Sequence, residues 1–323
     1  MSFATLGAIL FWYVYKEQNF NTIWNQMHNL NWWWVVLGMT ISIFSHISRA
    51  VRWQILIHQL GYKPRLANTI FAVFIMYISN LAIPRMGEVA RCGVLKRYEK
   101  VPFTQLLGTV FLERMVDMLV LLFLTAIVLV TQFSTFVTFL DMNPAIRQRL
   151  TSFLNGHGLL ISGIGIFTLL VVAYYALKNK YLPWGLSDRI DNIASNFGHG
   201  LQTILKMPHK FWFFAHTIII WVLYYSMLYV GFFAFDFSSN LSMNVALVMF
   251  VFGSYGMVAP IQGGIGAWHF MVIQTLLMYQ ISPANAAAFA FVVHAAMTFI
   301  LLILGVLAII AIPIYNRRTS PQT

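Results

Sequence analysis

The sequence predicts an all-α, polytopic integral membrane protein of about 6–8 transmembrane helices, and three observations carry that prediction. Of 323 residues, 59% are hydrophobic and only 9% charged, whereas a soluble domain carries about 25% charged residues to offer water a polar face. The apolar residues gather into runs of a length that crosses a bilayer, which takes about 20 helical residues. Aromatic residues make up 16% of the chain, which suits lipid-facing surfaces and interfacial belts.

The elements follow from these runs in order. Residues 2–15 are apolar, with neither a basic n-region nor a small-residue cleavage site, and read as a short first span or signal anchor. A polar, aromatic stretch to residue 31 lies at the interface. Residues 32–57 span, carrying His46, Arg49, Arg52 and Trp53 toward their end, and a polar link with Lys63 and Arg65 follows. Residues 68–83 are apolar and break at Pro84, Arg85, Gly87 and Glu88, after which 91–100 is basic. Residues 103–130 span with Glu113, Arg114 and Asp117 inside them, and 131–157 form a polar link. A span at 158–177 leads into a basic link, 178–210, with an amphipathic interfacial helix around 190–205. Residues 211–235 span, 243–259 run apolar into Pro260-Ile261-Gln262-Gly263-Gly264-Ile265-Gly266, and 268–279 precede a last span at 286–312. One transmembrane domain, 1–323, thus contains half-repeats at about 32–130 and about 211–312.

The net charge of +11 does not signal nucleic acid, because Lys and Arg sit in short stretches between apolar runs, as the positive-inside rule produces. Such segments also attract anionic headgroups, at roughly 1 kcal/mol per residue. Arg317 and Arg318 put the C-terminus on the cytoplasmic side of the cell membrane, and counting crossings back puts the N-terminus there too. A full crossing at 68–83 would leave Lys63 and Arg65 outside. A re-entrant hairpin over 68–100 keeps both basic stretches inside, and irregular backbone at that depth is tolerated where protein buries it. Residues 243–279 form the matching hairpin from the other side, so the halves read as an inverted repeat of span, broken hairpin, span. About eight ordinary kinked crossings are the alternative. Cys92 is the only cysteine, so no disulfide or cysteine-based metal site forms within the chain, and no cofactor is expected.

Charges inside apolar runs carry the chemistry. Glu113, Arg114 and Asp117, spaced by one, three and four, lie near one helical face. Each costs about 2.5–3.5 kcal/mol to insert, so they face one another or a watery cavity, either as a structural ion pair or as a substrate or proton-coupling group. Arg85, Glu88 and Arg91 repeat every three residues after the break. There the positive end of a returning helix and two guanidiniums suit a phosphate, or the helix rests on the bilayer surface. Asn80 either donates to a headgroup or caps the kink. Arg49 is a cavity candidate, while Arg52 reads as snorkelling to the headgroups. Gly263 and Gly264 let backbone approach a ligand or another helix. His269 and His294 are packing residues or a relay. No Walker loop, His-Glu-x-x-His or Gly-x-Ser-x-Gly occurs, so no enzyme is expected.

Arg49-x-x-Arg52-Trp53, Asn80-x-x-x-Pro84-Arg85-x-Gly87-Glu88-x-x-Arg91, Glu113-Arg114-x-x-Asp117, and Pro260 with Gly263-Gly264-Ile265-Gly266 resemble, in order, the transmembrane family typified by the flippase portion of lysylphosphatidylglycerol synthase/flippase proteins. The resemblance implies a protein that handles phospholipid or polyprenyl lipid and moves it between leaflets. Two departures stand out. The family's synthase members carry a soluble aminoacyl-transfer domain after the spans, which is not found before Thr323, and an acidic residue commonly follows the glycine motif where His269 stands here.

The expected function is therefore a lipid translocase or lipid-binding transporter. Its partners are membrane lipids with an anionic headgroup and no nucleic acid, with a homo-oligomer left open. Substrate-binding candidates are Arg49, Asn80, Arg85, Glu88, Arg91, Glu113, Arg114, Asp117, Gly263, Gly264 and His269. The alternatives are a membrane enzyme of polyprenyl-phosphate glycosyl transfer and a non-catalytic partner subunit.

Overall fold

The structure, a computed structural model, describes residues 3–16, 20–155 and 207–319. Among them every regular element is helical: α1 (Phe3–Tyr15), α2 (Phe20–His28), α3 (Trp32–His58), α4 (Leu66–Ala82), α5 (Met86–Glu99), α6 (Phe103–Thr131), α7 (Phe133–Met142), α8 (Pro144–Asn155), α9 (Lys210–Phe232), α10 (Met243–Val258), a 3₁₀ turn at Gln262–Gly264, α11 (Ala267–Met278) and α12 (Pro283–Thr319). Four helices among the described residues, α3, α6, α9 and α12, are long and apolar enough to cross a membrane. The expected span at 158–177 and amphipathic helix at 190–205 lie outside the described residues. The chain divides into two compact units, one of residues 1–132 with 209–323 and one of Phe133–Pro208. In the second unit, residues expected as a polar link instead form α7 and α8, with an exposed ion pair between Asp141 and Arg147.

In the larger unit α3 packs against α9 and α4, and α12 against α4 and α11. The apolar interior has two parts. Trp53, Ile57, Val73, Met76, Leu95 and Leu106 fill the space among α3, α4, α5 and α6. Phe232, Met249, Val272, Leu276 and Phe289 fill the space among α9, α10, α11 and α12. Phe44, Phe111, Phe123, Val222 and Ile310 are exposed on the outer faces, where only a hydrocarbon solvent makes a surface of large apolar side chains favourable.

Between α4 and α5 the chain turns back, and the two short helices pack against each other. Arg85 takes a left-handed φ of 64° just after Pro84, whose ring cannot continue the helix. The Asn80 side-chain oxygen accepts from Gly87 N at 2.8 Å. Of the two readings of Asn80, capping is the one its geometry displays. A Cβ on Gly87 would lie 2.2 Å from the Met76 carbonyl oxygen, so only glycine permits this approach of α5 to α4. The far ends of the pair meet as well. Asn68, at the start of α4, donates to Glu99, the last residue of α5, and Arg65 donates to the same carboxylate at 3.1 Å. Asn316, near the end of α12, joins them, accepting from Arg65 at 2.6 Å and exchanging hydrogen bonds with Asn68 at 2.9 and 2.8 Å.

The α10–α11 pair turns on Gly263, Gly264 and Gly266, with φ of 56°, 74° and 86°. The two breaks touch one another. Arg85 Nη2 donates to the Val258 carbonyl at 3.3 Å and Gln262 Nε2 to the Ala82 carbonyl at 2.9 Å. A Cβ on Gly263 would meet Leu81 at 2.8 Å.

Candidate functional site

On α3, polar residues recur at helical spacing: Ser42, Ser45, His46, Arg49 and Arg52 all point inward and are buried. Their counterparts on α6, Glu113 and Asp117, are four residues apart and so share a face. Arg91 reaches in from α5. Glu113 Oε1 accepts from Arg49 at 3.2 Å and Arg52 at 2.9 Å, and its Oε2 accepts from Arg91 at 2.8 Å. Asp117 Oδ2 accepts from Arg49 at 3.1 Å, and its Oδ1 lies 2.8 Å from Arg52 Nη1 without hydrogen-bond alignment. Arg52, Arg91 and Glu113 have no exposed surface. Removing ions from water costs several kcal/mol each, repaid only where opposite charge and hydrogen bonds close around them, and here each of the five has an opposite charge within 3.2 Å.

Arg52 is therefore not a snorkelling residue. It is held between Glu113, Asp117 and Thr217, donating to the Thr217 hydroxyl at 3.2 Å, because α9 and α6 close over that face of α3 before the helix ends. Aromatic rings complete the enclosure. The Arg91 guanidinium lies 4.5 Å from the centre of the Trp53 ring, whose Nε1 donates to Thr109 at 2.8 Å. Arg49 Nε donates to Tyr224 OH at 3.3 Å, and Tyr224 OH lies 3.1 Å from Tyr77 OH. Tyr77, Tyr224 and Thr217 carried no signal in a sequence so rich in aromatic and hydroxyl residues. Arg52 had one, its three-residue spacing from Arg49.

Arg114 and Glu88 form an outer layer. Their side chains are 41% and 26% exposed and approach to 3.9 Å, and Arg114 lies 3.7 Å from Asp117, so the main partners of Asp117 are Arg49 and Arg52 rather than Arg114. Among the described residues the centre holds three guanidiniums, Arg49, Arg52 and Arg91, against two carboxylates, Glu113 and Asp117, and the outer pair adds one charge of each sign. One positive charge is left over. Arg91 Nη1 and Nε, Arg114 Nε and Glu88 Oε2 have no hydrogen-bond partner.

The remaining candidates lie elsewhere. Arg85 is exposed at the meeting of the two breaks, and Asn80 caps the first. At the second break His294 Nε2 lies 2.9 Å from the Gly263 carbonyl, Gly266 N donates to His269 Nδ1 at 3.3 Å, and the two imidazoles are 4.5 Å apart. His269 packs against Phe11, Tyr15 and Trp268, apart from the arginine centre. Gly264 is buried among Met257 and Trp268. Among the described residues no three His, Cys, Asp or Glu side chains gather as a metal site.

Long apolar helices enclosing a largely buried ionic centre define a polytopic helical membrane protein. More closely, the chain belongs to the family described as "Lysylphosphatidylglycerol synthase TM region", whose model matches residues 2–305. It is 28% identical over 157 residues to a UPF0104 membrane protein of Methanocaldococcus jannaschii, covering 48% of this chain and 42% of that one. It is 29% identical over 97 residues to glycosyltransferase AglD of Haloferax volcanii, covering 30% of this chain and 16% of that one. The matched stretches thus span less than half the length of these relatives. No solved structure matches.

Proposed function

We propose that this protein is a lipid translocase or lipid-binding transporter of the cell membrane. Its substrate is an anionic or aminoacylated phospholipid or a polyprenyl-phosphate lipid, whose headgroup enters at the arginine–carboxylate centre. The observation that carries this reading is that centre itself: five charged side chains gathered inside apolar helices, with one positive charge in surplus. Ionisable residues inside a membrane are costly and mark substrate or ion pathways, and guanidinium forks fit phosphate oxygens. The membership in a lysylphosphatidylglycerol synthase transmembrane family supports lipid as the cargo.

In this reading the α4–α5 pair is re-entrant. The hydrogen bonds joining Asn68, Glu99 and Asn316 support this, since they bring both ends of the pair to the end of α12. Lys63, Lys96 and Arg317 then lie on one side, the cytoplasmic one by their charge, with both termini there. The α10–α11 pair enters from the opposite side, giving the two halves an inverted relation.

A fluorescent-lipid leaflet assay in proteoliposomes tests the function. Movement above that of empty vesicles is expected for at least one anionic lipid, with loss in Arg91→Ala and Asp117→Ala variants that still elute as folded protein. No movement of any candidate lipid overturns the proposal. The second reading, a membrane enzyme of lipid-linked glycosyl transfer, draws on the relative named as a glycosyltransferase, and release of a glycosylated product in the same vesicles would favour it. For the topology, Lys63→Cys and Lys96→Cys in a Cys92→Ser background should label from the same side with an impermeant maleimide.

A further inference from the structure

Exposure falls steadily from the rim of the ionic centre to its floor. Side chains are 41% exposed at Arg114, 26% at Glu88, 13% at Asp117 and 0% at Arg91 and Glu113. Glu88 stands one turn before Arg91 on α5, and its partner Arg114 contacts Asp117. A ligand drawn to the surplus positive charge of the centre thus passes the Glu88–Arg114 layer on its way to the unpartnered nitrogens of Arg91. That layer is loosely joined. At 3.9 Å the pair makes no hydrogen bond, and the buried Arg114 Nε and Glu88 Oε2 have no partner, nor do Arg91 Nη1 and Nε. Arg85, just before the start of α5, is exposed and directed to the Val258 carbonyl, so it does not enter the balance inside.

We infer that the centre accepts a headgroup carrying a single negative charge, a phosphodiester, and that Glu88 is a specificity-determining residue that excludes phosphomonoesters. The inference rests on the lipid-transport reading. A phosphodiester monoanion neutralises the surplus of one. A phosphomonoester carries about −1.5 to −2 at pH 7, so its second charge has no counter-ion at the floor and meets the Glu88 carboxylate at the rim, where like charge placed against the wrong ligand is the means of selection. Among lipid classes this retains glycerophosphodiesters and polyprenyl phosphates already joined to a sugar, and rejects free polyprenyl monophosphates.

The test is binding to the full-length protein in detergent, followed by tryptophan fluorescence, with dioctanoyl phosphatidylglycerol and dioctanoyl phosphatidic acid as probes at about pH 8, where the monoester is close to dianionic. The wild-type protein should bind the diester at least about tenfold more tightly, as one unscreened like-charge contact implies. Glu88→Gln should shrink that ratio mainly by tightening phosphatidic acid, and Glu88→Asp should keep it. Equal binding of both lipids by the wild type, or an unchanged ratio in Glu88→Gln protein of normal elution and melting temperature, overturns the selectivity alone. Binding of neither lipid overturns the transport reading beneath it. The same headgroup without acyl chains, glycerophosphoglycerol, should not compete at equal concentration, and full competition would make a free phosphodiester the occupant and overturn the lipid assignment.

Discussion

Between α4 and α5 the chain turns on Pro84 and a left-handed Arg85, and the helix that follows delivers Glu88 and Arg91 toward buried charge. Between α10 and α11 it turns on three glycines of positive φ, and the helix that follows delivers Trp268 and His269 into an aromatic cluster with Phe11 and Tyr15. The first break is fixed by ions and by the side-chain cap of Asn80. The second is fixed by backbone closeness and by one imidazole on a carbonyl. Two similar turns of chain thus answer different demands: one holds charge in a place where charge is expensive, and the other holds shape.

The largest effect expected from this contrast is at Glu113. Glu113→Gln leaves three buried guanidiniums facing Asp117 alone and should cost about 3–5 kcal/mol, the penalty for breaking a buried ion pair from one side. A fall in melting temperature in detergent, or loss of monodisperse protein, would register it, and a melting curve unchanged from wild type would break the contrast. Next come the close approaches. Gly87→Ala forces a Cβ to within 2.2 Å of the Met76 carbonyl oxygen, and overpacking of this kind costs about 1–3 kcal/mol. Gly266→Ala meets Leu10 at 2.6 Å and Phe11 N at 2.8 Å, so its melting temperature should fall comparably, showing that tight backbone is common to both breaks while charge is not. Asn80→Ala removes a cap and should cost about 1 kcal/mol, with Asn80→Asp retaining most of the stability. An effect of similar size is expected from His294→Ala, which gives up the contact with the Gly263 carbonyl, about 0.5–1.5 kcal/mol for a neutral hydrogen bond. A loss at His294 as large as that at Glu113 would mean that the second break carries buried charge of its own.

Both breaks were legible in the sequence because Pro84 cannot continue a helix and three glycines within 263–266, after Pro260, disfavour one. The internal charges were legible because Glu113 and Asp117 interrupt an apolar run at helical spacing. The fate of Arg52 was not. Six residues before the end of α3, an arginine has enough reach to meet headgroups, and only the closure of Thr217 and Glu113 around it decides otherwise. Residues 131–157 read as a link because α7 and α8, at 10 and 12 residues, are too short to leave a run that crosses a bilayer. Nor did the length of the apolar run at 68–83 say where α5 finishes, since the contacts that fix it, Asn68 and Arg65 with Asn316, join residues far apart in the chain.

That last set of contacts has a mechanical meaning. Asn316 is tied to both Arg65 and Asn68, and they in turn to Glu99, so the end of α12 is riveted to both feet of the α4–α5 pair. Higher up, a Cβ on Gly305 would lie 2.7 Å from Ile78, a second point of near contact between the same two helices. Pulling α12 away would break buried polar bonds at one end and unmesh tight packing at the other. The α4–α5 pair and α12 are therefore clamped together at two levels, and α12 is held in turn against α2, α3 and α11.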